Sequence, residues 1–262
     1  MPQVSCLLSP DIGRFHSRLW LLIALAATIA LMPSGSAQRL LAIDVNDRTV
    51  VDTPNTPPGF SSFQLSGTTA AVNSTSAVVD GFTVSVTAVN ASGVATGGID
   101  DRDRVGPSGA SSLNQIYDDF IFTAAGVGIG GGIDLTIGNN PTVLFPNTQY
   151  IVSIYSYDRD STLAPQPRTA SWLDGNNGDS VLFITSFSGS AEPATDEQYK
   201  FTGIAVTDAA GTLFLRGRNA NATTDPGVFV NGIEIHQIPE PSSALILGLG
   251  LGVLGFARAR RA

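Results

Sequence analysis

The chain is short of the residues that carry most protein chemistry. One cysteine, Cys6, and two histidines, His16 and His236, occur in 262 residues. Cys6 and His16 fall in an N-terminal segment with the pattern of a removable leader. The processed protein is therefore expected to have no disulfide, no thiol nucleophile and no thiolate metal site. Zinc sites built on several histidines are excluded by the count. A Ser-His-Asp hydrolase would have to build its triad on His236, at the end of a predicted strand. Lys200 is the only lysine, and nothing near it suggests a Schiff base. Glutamate beyond the leader is confined to Glu192, Glu197, Glu234 and Glu240, with no alternating Glu-x-Asp-x-Glu array. Paired-carboxylate glycan hydrolysis is thus not expected, and the chain reads as a non-enzyme.

Long apolar runs occur only near the two ends. Arg14 and Arg18 precede the apolar stretch Leu19 to Leu31, whose 13 residues are too few to span a membrane. Gly35-Ser36-Ala37 then supplies the small residues that signal peptidase reads, so cleavage is predicted between Ala37 and Gln38. No arginine pair stands there, which points to export of the unfolded chain by the general secretory route. At the other end, Pro239-Glu240-Pro241 is followed by an uncharged run to Ala257 and then by Arg258, Arg260 and Arg261. As a helix rising ~1.5 Å per residue, residues 241–257 reach ~26 Å, barely enough for a hydrocarbon core of ~30 Å. The arginines resist translocation, so the body faces away from the cytoplasm.

The Pro-Glu-Pro, the short apolar run and the terminal arginines together resemble the PEP-CTERM sorting signal of bacteria that make exopolysaccharide. The resemblance implies an exosortase as processing partner, a Gram-negative-type host, transient anchoring in the inner membrane and a final place at the cell surface or outside it. Three parts follow: a signal peptide (1–37), one domain (38–238) and the sorting signal with its short transmembrane helix (239–262).

The domain between the signals carries nine Lys and Arg against twenty Asp and Glu, a net charge of −11. A polyanion such as nucleic acid is disfavoured as partner. Its pattern is period-two alternation broken by Gly, Pro, Asn and Asp. Strands are predicted at Leu40–Val45, Phe82–Val89, Phe120–Thr123, Ile133–Ile137, Tyr150–Tyr157, Thr169–Leu173, Val181–Phe187, Tyr199–Thr207, Thr212–Arg216 and Val228–Ile235, with no helix in the domain. Short strands without a repeat argue for an all-β, two-sheet antiparallel sandwich of jelly-roll type, a closed barrel being the competitor. Ala91–Ser112, Asp158–Arg168, Asp174–Ser180 and Ala220–Gly227 are expected as loops. Gly126-x-Gly128-x-x-Gly131 mimics a dinucleotide fingerprint, but it sits between strands with no following helix, so a hairpin loop is expected. Asn73-Ser74-Thr75, Asn90-Ala91-Ser92 and Asn221-Ala222-Thr223 match glycan-acceptor tripeptides by chance.

Leu41-Ala42-Ile43-Asp44-Val45, Pro57-Pro58-Gly59-Phe60, Tyr155-Ser156-Tyr157-Asp158 and the closing strand Val228 to Ile235 are similar to galactose-binding-like and malectin-like jelly rolls. That resemblance implies sugar binding as the commonest task and terminal strands lying side by side. A sugar offers an apolar face for an aromatic ring and a rim of hydroxyls for planar polar groups. Trp172 beside Asp174 and Asn176, with Tyr155 and Tyr157 at a strand end, form the candidate platform; the alternative places Trp172 in the core. Calcium is the candidate inorganic ligand, and Asp44 with Glu234, on the terminal strands, is the pair that the resemblance implies for it. Asp100 to Arg104, Asp118-Asp119 and Asp158 to Asp160 are further acidic groups, the first read as local ion pairing or a solvated loop. Two functions stay open, a module binding exopolysaccharide and a structural matrix protein without a specific ligand.

Overall fold

A computed structural model describes residues 36–239 apart from 49–55, 67–70, 97, 105–113, 124–128, 140–143, 160–166, 189–192, 196 and 222–226. The predicted signal helix, the transmembrane segment, Glu240, Pro241, Arg258, Arg260 and Arg261 lie outside the described residues. No helix among the described residues is long and apolar enough to cross a membrane.

Alternation builds the strands. In β4 (Phe82–Val89) the side chains of Phe82, Val84, Val86 and Ala88 are buried while Thr83, Ser85 and Thr87 are half-buried, so one face meets the core and one meets water. The order along the chain is β1 (Gln38–Asn46), β2 (Ser61–Gln64), β3 (Ser74–Val79), β4, β5 (Ile99–Asp103), a 3-10 turn (Asn114–Tyr117), β6 (Asp119–Thr123) and β7 (Gly132–Asn139). There follow β8 (Gln149–Tyr155), β9 (Arg168–Asp174), β10 (Ser180–Phe187), β11 (Lys200–Val206), β12 (Leu213–Asn219), β13 (Phe229–Val230) and β14 (Gly232–Gln237). Gln38–Ile238 form one compact unit, and β1 begins at Gln38, the residue after the predicted cleavage point.

Two main sheets face each other. One has the order β11-β8-β14-β1-β2 and the other β10-β9-β12-β7-β4-β3. Between them lies one apolar core fed from both sides, by Leu41, Ile43, Val152, Ile154, Ile233 and Ile235 from the first and Val84, Val86, Ile133, Leu135, Trp172 and Leu215 from the second. The sheets are open, each with two edge strands, so the sandwich holds and the closed barrel does not. The terminal strands β1 and β14 pair antiparallel, Ala42 opposite Glu234 and Asp44 opposite Gly232.

Four features depart from the expectation. The pair β1–β2 is parallel. A third sheet, β13-β6-β5, takes strands from the stretch read as one long loop and from a closing strand read as continuous. The glycine-rich stretch before β7 joins strands of different sheets rather than making a hairpin. Strand β3 was also missed, although Asp80-Gly81 between it and β4 marks the hairpin; both residues have positive φ, 49° and 85°, as a primed two-residue turn requires. A second aromatic cluster of Tyr117, Phe120, Phe122, Tyr155, Tyr157, Phe187 and Phe229 accompanies the third sheet.

Candidate functional site

The outer face of the six-stranded sheet gathers planar polar groups around one ring. Along β12, Leu213, Leu215 and Gly217 turn inward, so Phe214, Arg216 and Arg218 turn outward. Register sets Phe214 beside Thr136 and Arg216 beside Asp134 on β7, and Thr136 in turn beside Ser85 on β4. Asp134 bridges both arginines, lying 3.7 Å from Arg216 Nε and closer to Arg218 Nη2. Arg216 also pairs with Asp179 in the β9–β10 turn, and its guanidinium carbon stands 5.8 Å from the Phe214 ring centroid.

Two turns flank Arg216. A Cβ placed on Gly93, in the Asn90–Val94 turn, would stand 3.7 Å from Arg216 Nη2. On the other side, Gly175 lies under Phe214, where any Cβ would collide with the ring. The Gly175 N–H donates to Phe214 O at 2.8 Å, which fixes that approach. The Arg216 side chain keeps 26% of its surface exposed and Asp179 keeps 43%. The arrangement presents an aromatic ring, two guanidinium groups, two carboxylates and a row of Ser and Thr hydroxyls on one sheet face, a set suited to hydrogen-bonding a polyhydroxylated ligand.

The predicted platform residues lie elsewhere. Trp172 is fully enclosed, 6.3 Å from Phe183 between ring centroids, so it is a core residue with no face for a ligand. Tyr155 and Tyr157 are also buried, Tyr157 stacked on Tyr199 at 4.7 Å and both tyrosines edge-on to Tyr117. Alternation explains the misplacement: a strand-end aromatic next to a polar loop looks exposed until a third sheet covers it.

Asp174 and Asn176 lie behind the candidate face, at the inward end of β9 and in the turn after it, and act as its fasteners. Asp174 Oδ1 accepts from Asn176 N at 3.1 Å and Oδ2 from Val206 N at 2.9 Å. Asn176 Nδ2 donates to Val206 O at 2.9 Å and to Thr212 O at 2.8 Å. Together they tie the β9–β10 turn to the β11–β12 connection and set Gly175 beneath Phe214. Sequence reasoning missed Phe214, Arg216, Arg218, Asp134 and Asp179. The signal that could have found them is the alternation Leu-Phe-Leu-Arg-Gly-Arg, whose polar members must all share one face.

The pair Asp44 and Glu234 lies on adjacent strands, but Glu234 is engaged by basic side chains. Lys200 Nζ is 2.8 Å away, Arg39 Nη1 3.3 Å and His236 Nε2 3.4 Å. Burial alone would raise the Glu234 pKa, yet Lys200 and then His236 hold it below the usual carboxylate value. Among the described residues no three His, Cys, Asp or Glu side chains form a metal-holding group. The acidic group at Asp100 to Arg104 finds distant partners rather than local ones: Asp100 and Asp101 clamp Arg48, and Arg104 reaches Asp158.

Residues 237–261 match the PEP-CTERM protein-sorting motif. The chain carries an exosortase sorting signal. It marks an exported, membrane-passing protein of Gram-negative bacteria that is processed by exosortase. No curated protein matches the chain in sequence. Among solved structures, the K1 cleaved adhesin domain of Lys-gingipain from Porphyromonas gingivalis W83 is 14% identical, with 65% of this chain and 99% of that chain covered and a TM-score of 0.31. The xylan-binding module CBM15 is 11% identical, with 59% and 97% covered and a TM-score of 0.25. At TM-scores of this size the likeness carries no functional argument.

Proposed function

We propose that this exported, exosortase-sorted protein is a non-catalytic module of the cell surface or extracellular matrix that binds carbohydrate on the outer face of its six-stranded sheet. The observation that carries the reading is the outward row Phe214, Arg216 and Arg218 with Asp134 and Asp179, set between two turns. The ring offers an apolar surface to one side of a pyranose, and the ion-paired groups offer charged donors and acceptors to its hydroxyls, whose hydrogen bonds to charged groups are the stronger kind. Held rigid by β-strand register, these groups need little ordering on binding. An exopolysaccharide outside the cell is the ligand class this chemistry and address fit.

Titration calorimetry of the full chain in mild detergent against a panel of neutral and uronic-acid glycans tests the reading. Phe214→Ala and Arg216→Ala are each expected to weaken binding at least tenfold, while Trp172→Phe, inside the core, leaves affinity unchanged. Silence across the panel would leave the second reading, a structural matrix protein without a specific ligand, which the burial of Trp172, Tyr155 and Tyr157 favours.

A further inference from the structure

Strand β1 has a second buried face. Leu41, Ile43 and Val45 point into the main core, so Ala42, Asp44 and Asn46 point the other way, where polar groups would ordinarily meet water. Instead β6 packs across β1, and Asp44, Asn46 and Asp119 retain only 1%, 2% and 3% of their surface. Buried polar atoms are almost always hydrogen-bonded, and an unpaired one costs free energy. Here three side-chain oxygens break that rule together: Asp44 Oδ1, Asn46 Oδ1 and Asp119 Oδ1 have no partner.

The donors nearby are engaged in other bonds. Asn46 Nδ2 donates to Asp44 Oδ2 at 3.0 Å, Asp44 O at 3.3 Å, Thr56 Oγ1 at 3.1 Å and Ser62 Oγ at 2.9 Å. That contact turns the Asn46 amide so that its oxygen is the atom left over. Asp119 receives the Asp47 backbone N–H through its carboxylate. Arg48, two residues beyond Asn46, is clamped by Asp100 at 2.9 Å and Asp101 at 2.9 Å, and Arg104 by Asp158 at 3.0 Å. The field around Asp119 is acidic, from Asp103 opposite it on β5 and from Asp44 and Asp47 on the β1 side. Two carboxylate oxygens and one amide oxygen are therefore enclosed in a negative field with a cation's share of bonding left unmade.

We propose that Asp44, Asn46 and Asp119 bind a calcium ion that joins β1 to β6. Calcium fits because every donor is oxygen and an amide oxygen is an acceptable ligand; no imidazole or thiolate is present to favour zinc or copper. Backbone carbonyls and water complete the six to eight oxygens that calcium takes. The ion replaces the one implied at Asp44 and Glu234: Asp44 remains, and Glu234 belongs to Lys200. With two formal charges in the set, affinity belongs at the weak end, a Kd of about 10⁻⁴–10⁻³ M, which suits an exported module in calcium-bearing surroundings. The proposal is independent of the carbohydrate reading, whose groups lie on the other sheet.

The test uses the full chain in mild detergent, stripped with a chelator and then followed by equilibrium dialysis with radioactive calcium and by thermal melting. One ion per chain is expected, with Tm rising by roughly 5–10 °C at a calcium concentration of 100 Kd and magnesium much less effective. Asp119→Asn and Asp44→Asn are each expected to weaken calcium binding at least 30-fold, while Glu197→Gln, on the exposed rim, leaves it unchanged. Because each of the two Asn variants removes a buried carboxyl group from a crowded acidic site, it should melt higher than the parent in chelator and lower than the parent in calcium, a crossing that a merely damaged fold does not produce. Dialysis on the parent decides the matter should the variants fail to fold. An absence of bound calcium at 5 mM overturns the proposal, as does binding undiminished in the Asp44→Asn, Asp119→Asn double variant.

Discussion

Replacing Asn231 by alanine removes one side chain that holds three strands, and its cost can be worked from the bonds it makes. The residue is fully enclosed. Its Oδ1 accepts the Tyr157 N–H at 2.7 Å, beyond the end of β8, and its Nδ2 donates to the Asp119 carbonyl at 2.9 Å, at the start of β6. Its backbone bonds, to Tyr155 O at 2.9 Å and from Val45 N at 2.8 Å, survive the substitution. Alanine therefore leaves one buried N–H and one buried C=O without partners, each costing about 1–3 kcal/mol. A loss of about 4 kcal/mol is expected, a large part of the 5–15 kcal/mol that domains typically have. Urea unfolding at constant m measures it. Asn231→Asp sharpens the case, since its carboxylate still accepts from Tyr157 but opposes the Asp119 carbonyl. It should cost at least as much as alanine at pH 7, and less at pH 4, where a protonated oxygen can donate. A loss below 1 kcal/mol for Asn231→Ala would refute the view that this side chain locks the third sheet to the first.

Two further substitutions probe packing and charge. Gly217→Ala places a Cβ 2.9 Å from Val228 Cγ1 and 3.0 Å from the Trp172 ring, so overpacking should cost about 1–3 kcal/mol by chemical unfolding. Glu234→Gln should cost about 2 kcal/mol at pH 7, the scale of a hydrogen bond to a charged group. The sign follows from the shifts. Glu234 is held below its ordinary 4.5, so its contribution is present above that pH and lost as pH falls through the lowered folded value. For Lys200, burial lowers the pKa but Glu234 and Glu197 raise it above 10.5, so that contribution fades only as pH rises past the raised value. Melting curves of the parent should thus steepen their decline on the acid side below pH 4.5, and those of the Gln variant should show a shallower one.

The sandwich was legible because its strands obey one rule. Where β4, β7, β8, β9 and β12 alternate, one face is apolar enough to demand a partner, and alternation alone distinguishes inside from outside. The failures fall where that rule has two answers. β1 and β8 bury both faces near one end, so Tyr155 and Tyr157 were read as a ligand platform although they are enclosed in the aromatic cluster. β5 (Ile-Asp-Asp-Arg-Asp) carries four charged residues in five and looks like a loop. It is a strand because Arg48, from a distant segment, neutralises Asp100 and Asp101, a partnership that no local window contains. Trp172 was misplaced for the converse reason: its neighbours Asp174 and Asn176 are polar, but their bonds go to backbone groups of β11 and the β11–β12 connection rather than to a ligand.

The same contrast separates the two candidate sites by their energetics. On the outer face of the six-stranded sheet every charge has a partner, with Arg216 and Arg218 compensated by Asp134 and Asp179, so a ligand there competes with ion pairs that partly exposed surfaces hold weakly. Binding on that face is therefore expected to be modest, salt-sensitive and reversible, as suits a polymer contacted by many copies at once. Between β1 and β6 the bookkeeping runs the other way. Oxygens are buried without partners, and desolvation has already been incurred in folding, so a cation that arrives there meets pre-ordered ligands. A domain whose first strand must capture the sheet that covers it gains from such a joint at that point.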